Sequence, residues 1–116
     1  MARTTLNPIT LPGPWSTQPA AITWTAANTT HGNQFRATGD EMLLVRNTGA
    51  TAASVTVVST PDAPFGRTGN MVMNIPAGGM VVTQIFPLLG WQQPNGYIYI
   101  DTTSANVEFA VIRVRR

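Results

Sequence analysis

Short runs of alternating apolar and polar residues, each closed by a turn-forming residue, follow one another from residue 21 onward. In Tyr97-Ile98-Tyr99-Ile100 the isoleucines fall on one side of an extended chain and the tyrosines on the other. Val55 and Val57 alternate in the same way around Thr56. A period of two marks a strand with one buried face. Eight strand-like runs are expected, over 21–27, 34–38, 41–47, 54–59, 71–75, 79–86, 97–101 and 107–114. Pro76-Ala77-Gly78 predicts a tight hairpin turn between the fifth and sixth of them. No segment keeps a helical period over three turns, and the absence of strand–helix–strand alternation argues against a parallel α/β fold. The pattern predicts an all-β chain of about eight short strands, folded as a sandwich or a barrel.

Residues 1–20 break this pattern. Pro8, Pro12, Pro14 and Pro19 fix φ and bias their predecessors toward extended backbone. The stretch is therefore expected to be an extended arm, followed by a single β-domain over 21–116. Leu6, Ile9, Leu11 and Trp15 are its apolar anchors, and a neighbouring subunit is the surface they are expected to bind.

Composition narrows the function classes. A chain of 116 residues buries a core without covalent staples. It has no cysteine, which excludes disulfides and the usual zinc and iron–sulfur sites. Only 10% of residues are charged and the net charge is +2, so no dense basic patch for nucleic acid is expected. Every basic residue is arginine, the cation favoured at interfaces. A polar, nearly neutral surface is poorly protected against association and suits a protein that lives assembled. MARTTLNPIT has no apolar core of a secretory signal, and no run is long enough to span a membrane.

Candidate chemistry is sparse. His31 is the single histidine and lies in Thr30-His31-Gly32-Asn33, a turn where an exposed imidazole is expected. Asp40 and Glu41 are adjacent, so their side chains diverge on a strand and make no acid–base pair; a gatekeeping or turn role is expected. Asp62 and Asp101 stand at loop or strand ends. Gly66-Arg67-Thr68-Gly69-Asn70 lacks the lysine and following helix of a phosphate loop. No catalytic residue, cofactor or metal is expected. Arg113, Arg115 and Arg116 are candidate contacts to an acidic partner surface. Trp91, Tyr97 and Tyr99 are candidates for an aromatic ligand surface.

The phrases G-D-E-M-L-L-V-R-N-T-G (39–49), S-V-T-V (54–57), F-G-R-T-G (65–69), I-P-A-G-G (75–79) and G-W-Q-Q-P-N-G-Y-I-Y-I (90–100) resemble small virion proteins of tailed bacteriophages. In these a β-sandwich or jelly-roll domain decorates the capsid, so the fold that the resemblance implies is an all-β, antiparallel β-sandwich of about eight strands, jelly-roll-like in its arrangement. The resemblance covers roughly residues 35–115. It implies a non-enzymatic cement protein, made in the host cytoplasm and placed on the exterior of the head. There it would bridge major capsid subunits, often as a homotrimer, without nucleic acid or membrane. Similar domains occur in tails and fibres, which leaves a carbohydrate- or receptor-binding module, with Trp91, Tyr97 and Tyr99 as its surface, as the alternative.

Overall fold

The computed structural model describes residues 3–12, 15–60, 69–88 and 90–114. Among them are ten strands: β1 (Thr4–Thr5), β2 (Ile9–Thr10), β3 (Thr25–Ala26), β4 (Asn33–Arg36), β5 (Glu41–Asn47), β6 (Ala53–Val57), β7 (Met71–Ile75), β8 (Met80–Val82), β9 (Tyr97–Thr102) and β10 (Val107–Arg113). They form two sheets. The first runs β1-β4-β9-β6-β7; the second runs β2-β10-β5-β8, with β3 also paired to β10.

The topology is a long hairpin rolled up on itself. β6 pairs with β7, β5 with β8, β4 with β9 and β3 with β10, all antiparallel. Rolling adds the β5–β10 and β6–β9 pairs and closes each sheet. Apart from β1 and β2, the sheets read β4-β9-β6-β7 and β3-β10-β5-β8, which is the jelly-roll order. The fold is thus all-β, as the alternation predicts, and of the two architectures the strand pattern allows it is the sandwich.

Three details differ from the sequence-based expectation. The sheets are mixed and not purely antiparallel, because β1 runs parallel to β4 and β2 parallel to β10. The run 71–86 makes no hairpin. Gly79 N–H donates to the Pro76 carbonyl at 2.8 Å, and Gly78 takes φ 69° at the third position of that turn. The turn carries the chain from β7 in one sheet to β8 in the other. Two expected strands also shorten: 21–27 to β3 and 79–86 to β8. Beyond β8 the pairing to β5 continues irregularly, with the Thr83 hydroxyl accepting from the Leu43 amide at 3.0 Å.

The expected arm over residues 1–20 divides in two. Its first part is stitched into the sandwich, one strand in each sheet. Between them Pro8, which has no N–H to give a ladder, lies where the chain crosses from sheet to sheet. Leu6 is buried in the core and its amide donates to the Gln34 carbonyl at 2.7 Å. Leu6 therefore packs inside its own chain and not on a neighbour. The second part, from Leu11 to Ala20 among the described residues, is exposed and carries no strand, and this exposed stretch runs on through Ile22 at the start of the expected domain.

The core lies between the sheets. Leu43 and Val45 of β5 and Phe109 and Val111 of β10 face Val55 and Val57 of β6 and Ile98 and Ile100 of β9, with Phe35, Ile75 and Phe86 filling the ends. All are essentially removed from water. At roughly 1.5–3 kcal/mol for each large apolar side chain, this burial dominates the stabilisation.

Candidate functional site

The alternation that builds the core also decides what each sheet shows to the outside, and the two outer faces differ. On the first sheet the outward positions are Gln34 and Arg36 on β4, Tyr97, Tyr99 and Asp101 on β9, Ser54 and Thr56 on β6, and Val72 and Asn74 on β7. This face is polar apart from Val72. On the second sheet the outward positions include Met42 and Leu44 on β5, Ala110 and Ile112 on β10, Val82 on β8 and Ile9 on β2. This face is apolar where a solvated sandwich face carries polar residues.

Part of the apolar face is covered by the chain itself. The exposed stretch after β2 brings Leu11, Pro12, Pro19, Ala20 and Ile22 beside it. Between that stretch and the sheet lies an open groove of about 550 Å³, floored by Met42, Leu44 and Ile112. Among the described residues, no charged one lines it. Val82 remains 61% and Ile22 46% exposed on its rim. At one end of the face, Arg46 donates to Glu108 at 2.6 Å and lies over the Trp24 ring at 4.3 Å, so its charge is already matched.

Of the partner-contact candidates, Ile9 and Leu11 line this groove. Trp15 stands in solvent, 92% exposed. Arg113 is engaged within the chain: its Nε donates to Glu41 Oε2 at 2.6 Å. Arg115 and Arg116 lie outside the described residues, as do Asp62 and residues 66–68 of the glycine-opened loop.

Glu41 is not the surface gatekeeper its position suggests. It shares the inward phase of Leu43 and Val45 and is 1% exposed. Burial pushes its carboxyl up, but the Thr38 hydroxyl at 2.5 Å, the Thr38 amide at 2.7 Å and Arg113 outweigh that, and its pKa lies below the ordinary carboxylate value. This pair is structural: it ties the start of β5 to the end of β10.

The aromatic candidates are not brought together as one platform. Tyr97 and Tyr99 share the outward side of β9, but an arginine covers each: Arg3 lies 4.0 Å from the Tyr99 ring centroid and Arg36 5.7 Å from that of Tyr97. Trp91 packs edge-on against Phe86 at 5.3 Å, as part of the core's flank.

His31 is half-buried in its turn and lines a polar cleft with Arg3 and Asp101, which residue spacing alone does not bring together. Among the described residues no three His, Cys, Asp or Glu side chains gather around a common metal position. No protein-family model matches the chain, and no curated protein or solved structure matches it either.

Proposed function

We propose that the chain is a structural, non-catalytic domain, a capsid decoration or cement protein, that docks the apolar outer face of its second sheet onto the subunits of a phage head. The observation that carries this reading is the groove between Leu11, Pro12, Pro19, Ala20 and Ile22 and the β2-β10-β5-β8 sheet, which has no charged lining residue among the described ones. Such an opening accepts apolar side chains from a partner, and no lining charge has to be desolvated on binding. The Arg46–Glu108 pair at one end leaves no uncompensated charge to demand a counter-charge, so the matching surface is neutral and apolar. A domain that binds the assembled lattice and not the free subunits raises lattice stability by mass action. The alternative, a carbohydrate-binding tail or fibre module built on Trp91, Tyr97 and Tyr99, has less support, because those rings are separated or capped.

Deleting residues 2–15 is a poor test, since it removes Leu6 and both arm strands. Ile22→Asp combined with Val82→Asp is the sharper one. Both residues are well exposed, so the double variant is expected to keep its fold, with stability changed by at most about 1 kcal/mol. Its occupancy on expanded phage capsids, read by co-sedimentation, is expected to fall at least tenfold, by roughly 1.4 kcal/mol or more. Unchanged occupancy would sink the docking role of this face. A wild-type protein that pairs with itself through the groove and ignores capsids would overturn the choice of partner.

A further inference from the structure

A second opening lies on the opposite side of the sandwich, at the polar face of the first sheet. It is a cleft of about 470 Å³ bounded by Arg3, Thr30, His31, Thr56, Asp101 and Thr103, with Ser54 also on its wall. That volume lies within the roughly 300–1,000 Å³ of small-molecule sites. We infer that this cleft is a binding site for a neutral saccharide, independent of the apolar groove.

The cleft is held in shape before any ligand arrives. Arg3 Nη1 donates to Asp101 Oδ1 at 2.7 Å and to the Asn33 carbonyl at 3.2 Å, and its guanidinium rests on Tyr99. The Asn28 carboxamide oxygen accepts from the amides of Thr30 and His31, which fixes the turn that forms one wall. Gly32, at φ 83°, completes that turn, and a Cβ there would fall on both the Asp101 carboxylate and the Arg3 guanidinium. Only glycine admits the turn and the ion pair together. A preformed site loses little affinity to ordering.

The lining selects the ligand's chemistry. The fixed charges, Arg3 and Asp101, cancel at 2.7 Å, so an anion meets the carboxylate and a cation meets the guanidinium. Among the described residues, no hydrogen bond engages the hydroxyls of Thr30, Ser54, Thr56 or Thr103. Hydroxyls both donate and accept, a carboxylate accepts from two neighbouring donors, and a guanidinium donates in a fork. A neutral ligand with several adjacent hydroxyls answers that whole set, whereas an apolar or strongly charged one leaves part of it unpaired.

The test is an array of neutral, sialylated and sulfated oligosaccharides, followed by calorimetric titration of the best neutral binder. Wild-type protein is expected to bind neutral oligosaccharides. Thr56→Val and Asp101→Asn are each expected to weaken that binding at least about tenfold. Asp101→Asn also disturbs the ion pair, so Thr56→Val, a near-isosteric change on a half-exposed strand position, isolates the contact from the fold. Ile22→Asp with Val82→Asp is expected to leave saccharide binding unchanged. No neutral oligosaccharide bound at millimolar concentration, preference for the charged ones alone, or affinity untouched by Thr56→Val would each overturn the inference.

Discussion

Leu6→Ala is expected to lower the unfolding free energy by about 3 kcal/mol, measured by urea denaturation. The residue is 2% exposed and belongs to the same buried cluster as Phe35, Leu43 and Phe109. Truncating a buried leucine costs roughly 2–5 kcal/mol, the transfer loss plus the cavity left behind. A leucine on a free arm would cost no more than about 0.5 kcal/mol. The experiment thus separates an arm that is part of the sandwich from one that waits for a partner. Leu11→Ala serves as the comparison: on the exposed part of the same stretch, its expected effect is below about 1 kcal/mol.

Removing the Glu41–Arg113 pair from one side has the second largest expected effect. Glu41→Ala takes away the acceptor of three hydrogen bonds and leaves Arg113 and the Thr38 amide and hydroxyl unpaired. Breaking a buried pair costs roughly 3–5 kcal/mol. Arg113 is about a third exposed, so water recovers part of its solvation, and the expected loss is about 2–3 kcal/mol. The pH dependence has a definite sign. The folded-state pKa lies below the ordinary 4.5, so the stabilisation is fully present above 4.5 and is lost as the pH falls through the folded value. Urea midpoints taken between pH 6 and pH 3 are expected to fall at the acid end in the wild type. In Glu41→Gln that dependence is expected to be much shallower. An equally steep fall in Glu41→Gln would show that other carboxylates govern acid stability.

The parts of the fold that a period of two describes were legible. β9 and the first half of β10 alternate in sequence as they do in burial, and their inward residues help make the core. The arm strands were not. β1 and β2 are two residues long, flank a proline, and depend on partners far along the chain. A lone leucine between them has no period to betray it. The apolar outer face did leave a signal: Met42-Leu43-Leu44-Val45 and Phe109-Ala110-Val111-Ile112 are apolar in both phases, the pattern of strands covered on two sides. Glu41 was also within reach. It stands in phase with Leu43 and Val45, just as Arg113 stands in phase with Phe109 and Val111, so a buried pair of opposite charges was implied once β5 lay beside β10. The cleft was not legible, because it joins residues from the arm, a turn and two strands that meet only through the rolled topology.

The parallel pairing of β2 with β10 sets an order on how the molecule is made. Ile9–Thr10 lie beside Ile112–Arg113, about a hundred residues later in the chain. β1 finds its partner β4 about thirty residues on, but Ile9–Thr10 have no place to bind until β10 is available. Contacts this distant form late, since closing so long a loop must precede any gain from them. Ile9–Thr10 are therefore expected to gain protection from proteolysis later on refolding than Thr4–Thr5 do. A ribosome stalled before β10 has emerged would hold a partial roll in which β1 can pair with β4 while Ile9–Thr10 are still open to cleavage.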